Sequence, residues 1–305
     1  MGLLDHAIVR LLPAVPKPFV QRLSSRYIAG ATLDDALRVV AGLNAAGKLA
    51  TIDVLGEEVG TPDEARAIAA QYHDVLARVA ERGLDANVSV KLTAFGLELD
   101  HDLCRENLEA VVRDAAARSS FVRIDMEDSS TTERTLLLHR RLRDEGHVNV
   151  GVVLQAYLKR TYDDAGALEN VRLCKGIYVE PASIAYRDPD EVRTSFVRTL
   201  ERLVERGAYV GIATHDEALI VEALRIVRKA KLDRERYEFQ MLLGVRPERG
   251  DELVAAGHRL RIYVPYGRHW YEYSVRRLQE NPKIAGYVAA DTLHRLVPGA
   301  SRKGV

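Results

Sequence analysis

Cysteine is scarce in this chain of 305 residues: only Cys104 and Cys174 occur, and neither belongs to a CxxC pair. That argues against a disulfide framework or a structural zinc site and for a reducing compartment. Neither sign of charge is in excess, since 44 Lys and Arg balance 44 Asp and Glu. A non-specific nucleic-acid binder needs a basic surface, so no nucleic-acid partner is expected. There is no run of roughly 18 apolar residues, the length that suggests a membrane span. The opening MGLLDHAIVRLLPAVPKPFV lacks the basic start and long apolar core of a secretory signal, so a cytoplasmic location is expected. Short-period repeats, low-complexity segments and a GxGxxG after any strand are also missing, which weakens the case for a doubly wound nucleotide-binding sheet.

What is present is 47% hydrophobic residues, enough for one large core. Residues 1–45 read as an N-terminal helical arm. Prolines at 13, 16 and 18 break an apolar beginning, and a helix opens at Thr32. The plain role of the arm is packing; Arg10, Lys17 and Arg22 also allow a basic, membrane-surface face. From residue 46 a rhythm sets in. Branched apolar runs at 49–55, 87–92, 121–126, 148–154, 171–177, 208–214, 237–242 and 260–264 alternate with helical patterns near 61–82, 102–118, 131–145, 161–169, 190–206, 216–229 and 247–256, then a last one to 281. Eight strands, each followed by a helix, predict an α/β fold of the (β/α)8 TIM-like barrel type over 46–290, with 291–305 as a C-terminal tail.

In such a barrel the chemistry collects where strands end. Those ends carry Glu57 and Glu58, Lys91, Asp125, Gln155, Arg172 with Lys175, Thr214 with His215, Gln240 and Leu242, and Tyr263. Packing alone would favour Val, Ile and Leu there. Lys91 is either a rim lysine, an ion-pairing residue or a Schiff-base lysine. Asp125 is open to structural, metal-binding or basic roles, and the simplest pairing is Lys91 with Asp125. Arg123 shares parity with Asp125, faces the interior and needs a carboxylate, for which Asp53 is the expected partner. Thr214 and His215 suit a phosphate or ribose contact as well as a metal, but the other ends do not supply a ligand set. Cys174 reads as core.

The last helix places Tyr273, Arg276, Arg277 and Glu280 at i, i+3, i+4 and i+7, on one face. Two adjacent guanidiniums match a carboxylate or phosphate. The plain alternative is a solvated face with an Arg–Glu pair.

Taken together these segments resemble the proline dehydrogenase family, the flavin-dependent barrel found alone or as the first catalytic domain of bifunctional proline-utilisation proteins. The resemblance rests on Leu55-Gly56-Glu57, Val90-Lys91-Leu92, Arg123-Ile124-Asp125-Met126-Glu127, Gln155-Ala156-Tyr157, Arg172-Leu173-Cys174-Lys175-Gly176-Ile177-Tyr178, Ala213-Thr214-His215, Tyr237-Glu238-Phe239-Gln240 and Tyr263-Val264-Pro265-Tyr266-Gly267 leading to Tyr273, Arg276-Arg277 and Glu280. It implies oxidation of L-proline to Δ1-pyrroline-5-carboxylate with FAD, and electrons passing to a quinone at a membrane to which the protein is peripherally attached. The pyrroline-5-carboxylate dehydrogenase would be a separate chain. In that scheme Arg276 and Arg277 grip the substrate carboxylate while Tyr263, Tyr273 and Leu242 wall its ring. Lys91 and Asp125 set the electrostatics around its amine. Arg172 faces the flavin N5, and Gln155 and the Met126 backbone contact the ring system. Lys175, Gly176, Ile177, Thr214, His215 and Glu280 hold the rest of the cofactor. Glu57 with Arg276 forms a gate. No metal is implied. The other classes to be weighed are a folate-reducing flavin barrel, an aldolase-like lyase using Lys91, and a non-enzymatic proline sensor.

Overall fold

A computed structural model describes residues 26–56 and 59–267. The N-terminal segment to residue 25, Glu57 and Glu58, and everything from 268 onward lie outside the described residues. With them go the expected gate residue Glu57, the expected last helix with Tyr273, Arg276, Arg277 and Glu280, and the expected C-terminal tail.

The elements are α1 (Leu33–Ala45), β1 (Leu49–Val54), α2 (Pro62–Glu81), β2 (Ala86–Val90), α3 (His101–Ala117), β3 (Val122–Ile124), α4 (Ser129–Asp144), β4 (Val150–Gln155), α5 (Thr161–Asp164), β5 (Asn170–Cys174), α6 (Pro189–Glu205), β6 (Tyr209–Ala213), α7 (Glu217–Lys229), β7 (Tyr237–Leu242), α8 (Pro247–Ala255) and β8 (Leu260–Tyr266). All eight strands are parallel and close on themselves, β8 pairing β1. The expected barrel is therefore the observed one.

Local chemistry starts the helices. Thr32 with Asp35, and Thr61 with Glu64, form reciprocal capping boxes, and Pro62 sits where its missing N–H costs nothing. Several boundaries differ from expectation: β2, β3 and β5 end at Val90, Ile124 and Cys174, short of the expected 92, 126 and 177. The helix expected near 161–169 is one turn of α-helix followed by a 3-10 turn at Ala165–Ala167, with low-propensity Gly166 inside it. Strand β8 runs on to Tyr266, because its pairing with β1 continues to Val54.

Strand residues alternate between two environments. Ile52, Val88, Val90, Val122, Ile124, Val150, Val152, Val171, Leu173, Val210, Ile212 and Val264 are buried and belong to one apolar cluster with the helix residues Leu37, Tyr72, Leu108, Leu138, Phe196, Leu200 and Ile220. The opposite parity turns inward and is unusually polar: Asp53, Ser89, Arg123, Arg172, Glu238, Gln240 and Arg261 are all buried. The shell between sheet and helices supplies the hydrophobic stabilisation, and the interior carries charge.

Candidate active site

Glycine makes room for the interior charges. On β4, a Cβ at Gly151 would stand 2.5 Å from Arg123 Nη1. The Arg123 guanidinium therefore lies over β4 toward β5, donating to the carbonyls of Val152 (3.1 Å) and Asn170 (3.0 Å) and to Asn170 Oδ1 (2.5 Å). This overturns the expected Arg123–Asp53 pair: the side chain turns away from β1 and is satisfied by oxygen dipoles and the Phe121 ring at 4.9 Å. Burial, then the neighbouring Arg172, draw its pKa down to about 9.

Asp53, fully buried on β1, instead receives Lys91. The Lys91 ammonium donates to both carboxylate oxygens, at 2.9 and 3.1 Å. The expected Lys91–Asp125 pair is corrected accordingly. Asp125 is occupied by the longer Arg172, whose Nη1 donates to Asp125 Oδ1 at 2.6 Å and to Ser89 Oγ at 3.0 Å. Ser89 Oγ bonds the same carboxylate oxygen at 2.7 Å, and Tyr263 donates to Oδ2 at 2.8 Å. Arg172 stands 5.3 Å from the Tyr263 ring centroid. Its Nε donates to Gln240 Oε1 (2.5 Å), Gln240 donates to Glu238 (2.6 Å), and Glu238 accepts from Arg261 (2.7 Å). Gly211 gives Gln240 its space, since a Cβ there would lie 2.4 Å from Gln240 Nε2. The result is two cation–carboxylate pairs side by side at the C-terminal end of the barrel, braced from below.

Above them opens a cavity of about 530 Å³. Of the expected site residues, Lys91, Asp125, Met126, Gln155, Arg172, Lys175, Gly176, Ile177, Thr214, His215, Leu242 and Tyr263 all line it. Cys174, read as core, is in the cavity wall as well, and burial raises its thiol to about 11. Gln155 is almost wholly buried and donates to the carbonyls of Met126 (2.8 Å) and Glu127 (2.9 Å), while its Oε1 accepts no hydrogen bond among the described residues. On the far wall Asp216 Oδ2 accepts from Lys175 Nζ (3.2 Å) and Arg193 Nε (2.9 Å). Burial would raise the Asp216 carboxyl, but these two cations hold it below the ordinary value. Thr214 Oγ1 accepts from the Asp216 backbone N–H at 3.1 Å, and His215 Nε2 accepts from the Leu242 N–H at 2.9 Å, joining β6 to β7. Gly176 has φ +101°, and a Cβ there would come within 2.0 Å of the Tyr157 ring.

Sequence reasoning put Gln240 and Asp216 at strand ends without giving them a role, and did not place Ser89 or Arg193 near the site. Ser89 shares the parity of Lys91 and could have been found from it. Arg193 comes from the second turn of α6, and no periodicity in the chain announces it.

A closed parallel barrel with a charged interior opening into a cavity at its C-terminal end is the architecture of a (β/α)8 enzyme. The sequence profile of the family described as proline dehydrogenase matches residues 36–290. Proline dehydrogenase 1 of Bacillus subtilis (strain 168) is 36% identical over 291 residues, covering 94% of this chain and 96% of that protein. Proline dehydrogenase of Deinococcus radiodurans is 34% identical over 279 residues, covering 89% and 90%. Among solved structures, proline utilization A (PutA) from Bdellovibrio bacteriovorus inactivated by N-propargylglycine superposes with a TM-score of 0.83 at 24% identity. It matches 93% of this chain, which spans little more than a third, 37%, of that protein's length. The chain belongs to the proline dehydrogenase family.

Proposed function

We propose that the chain oxidises L-proline to Δ1-pyrroline-5-carboxylate using FAD, with a quinone as the onward electron acceptor. The observation that carries this reading is the twin pair Lys91–Asp53 and Arg172–Asp125 beneath the cavity, in a chain of this family. The cavity fits a flavin nucleotide in three respects. Gln155 Oε1 is a buried acceptor awaiting a donor such as a ring imide. Gly176 lets backbone come close to Tyr157 where any side chain would collide. Lys175, in the cavity wall, offers a cation suited to phosphate.

When bound, FAD supplies the hydride acceptor. The substrate loses a hydride from the ring carbon beside nitrogen and a proton from nitrogen, forming the C=N bond. The residues' work is mainly positioning. Arg276 and Arg277 would fork the substrate carboxylate, and Tyr263, Tyr273 and Leu242 would limit the ring. Lys91, held as an ammonium, would disfavour the protonated substrate amine by like-charge repulsion. Arg172 would stabilise negative charge on the reduced cofactor. Met126 and Gln155 would contact its ring system. Lys175, Gly176, Ile177, Thr214, His215 and Glu280 would hold the remainder. Glu57 with Arg276 would close the mouth. A Schiff-base lyase is disfavoured because an ammonium gripped by a buried carboxylate is not a nucleophile.

Among the described residues no helix is long and apolar enough to cross a membrane, so delivery of electrons to a membrane quinone would be peripheral. The product would be consumed by a pyrroline-5-carboxylate dehydrogenase on a separate chain. The test is the visible spectrum of the purified protein with L-proline added anaerobically. Flavin bands that bleach support the reading. Flavin bands that persist reject proline as substrate, and absence of flavin after purification with FAD rejects the cofactor.

A further inference from the structure

We propose that Gln240 is a positioning residue of the reaction: turned into an acceptor by buried Glu238, its amide fixes the Arg172 guanidinium so that a single edge of that fork meets the cofactor. The inference rests on the reading above, in which Arg172 faces the cofactor ring.

Three hydrogen bonds hold the Arg172 fork. Nη1 donates to Asp125 Oδ1 at 2.6 Å and to Ser89 Oγ at 3.0 Å, and Nε donates to Gln240 Oε1 at 2.5 Å. Nη2 has no partner among the described residues and is not sealed from solvent, so it is the part of the fork left to face the cavity that Arg172 lines. The anchors come from opposite sides of β5: Asp125 lies beyond β3, and Gln240 lies on β7. Held at Nη1 alone, the planar guanidinium could swing about that contact; the second anchor on Nε removes the freedom. Gly211 makes the reach from β7 possible. It stands in register with Arg172 on one side and Glu238 on the other, and the Gln240 amide crosses the bare backbone between them. A Cβ at Gly211 would lie 2.4 Å from Gln240 Nε2 and 2.9 Å from its Cδ.

An amide can present either its oxygen or its nitrogen, and here the choice is forced. Glu238 precedes Gln240 by two positions on the same strand, so both face the interior. As a carboxylate it only accepts. Gln240 Nε2 donates to Glu238 Oε1 at 2.6 Å, and Arg261 Nε donates to the same oxygen at 2.7 Å. With its nitrogen committed, Gln240 offers Oε1 to Arg172. The reverse orientation would set donor against donor at Arg172 and acceptor against acceptor at Glu238. Burial disfavours the Glu238 charge, but Arg261 with hydrogen bonds from Tyr209 and Gln240 preserves it. The buried pair below therefore dictates how the amide above it lies, and the amide dictates how Arg172 lies.

The test is Gln240→Met in the full-length, flavin-loaded protein, which keeps the length of the side chain, removes the acceptor and changes no charge. The readout is the two-electron reduction potential of the bound flavin, measured without proline by equilibration against a reference dye. A cation held in place favours the reduced, anionic ring. With Arg172 loosened, the ratio of reduced to oxidised flavin at a fixed potential is expected to fall about tenfold, a shift of about 30 mV to lower potential for two electrons. A potential that stays at the wild-type value or rises overturns the proposal, and so does a change confined to Tm, the mark of a purely structural brace. Gly211→Ala displaces the amide without touching a polar group. It is expected to shift the potential in the same direction, it carries the question should Gln240→Met not fold, and an unmoved potential there also overturns the proposal. Gln240 itself reaches the cavity wall, so direct contact with the cofactor is the competing account. Adding Gln240→Met to Arg172→Lys should move the potential no further than Arg172→Lys alone; a further fall of the same size shows that Gln240 does not act through Arg172. The two levels separate. Protein without flavin, or flavin that proline does not bleach, sinks the functional reading, whereas normal bleaching in wild type with an unmoved potential in Gln240→Met sinks only the role of Gln240.

Discussion

Tyr263 on β8 donates a 2.8 Å hydrogen bond to Asp125 beyond β3, across the barrel interior. The same carboxylate holds Arg172 at 2.6 Å. One phenol thus helps fix the acid that fixes the guanidinium. Tyr263→Phe keeps the ring and removes the bond. A hydrogen bond to a charged group is worth about 1.5–3 kcal/mol, so kcat/KM for proline is expected to fall about tenfold or more. Rapid-mixing measurement of flavin reduction checks this, and an unchanged rate would detach Tyr263 from the chemistry.

The paired arginines belong to the carboxylate by proposal. Arg277→Met should raise KM for proline by about 10- to 100-fold, the equivalent of losing charge-assisted bonds worth about 1.5–3 kcal/mol, while FAD stays bound. Steady-state kinetics beside the flavin-to-protein absorbance ratio separates the two. A normal KM rejects the role.

Gly176 sits at φ +101° against Tyr157. Gly176→Ala combines an unfavourable backbone region, about 1–3 kcal/mol, with a side chain that has no space. The expected outcome is loss of cofactor during purification with the barrel still folded. Flavin content measured together with far-ultraviolet circular dichroism tests it; full flavin occupancy would mean the loop is not part of the cradle.

Glu238 and Arg261 form a buried pair at 2.7 Å at the base of the brace under Arg172. Glu238→Gln leaves a buried guanidinium without its counter-charge, which costs about 3–5 kcal/mol. At about 2–4 °C per kcal/mol for a chain of this size, Tm should drop by about 6–20 °C. The pH dependence has a definite sign. Burial would raise the Glu238 carboxyl, but Arg261 together with hydrogen bonds from Tyr209 and Gln240 holds the folded value below the ordinary one. Its stabilisation is therefore complete above the unfolded glutamate pKa and is lost as pH falls through the lower, folded value. Wild type should lose Tm in that acid window more steeply than Glu238→Gln. Parallel acid profiles would contradict this.

The barrel was legible from the chain because its signals are local. Alternating apolar parity marks the strands, Thr32 and Thr61 with acids three residues on mark helix starts, Lys91 and Asp125 stand out as polar residues ending apolar runs, and Arg172 and Tyr263 as polar residues within them. Parity alone was enough to point these side chains inward.

Partner choice among them was not local. Lys91 reaches Asp53 and not Asp125, and Arg123 reaches Asn170 and not Asp53, because the stagger of strands on closing the barrel sets which inward residues share a level. The bare backbone of Gly151 then decides which way Arg123 can lie, and Arg172 has the length to cross to Asp125. Arg193 reaches Asp216 at the cavity wall from a helix for the same reason. Periodicity in one dimension says which way a residue faces; only closure in three dimensions says what it faces, and with interior charges that choice determines which carboxylate holds which cation beneath the cavity.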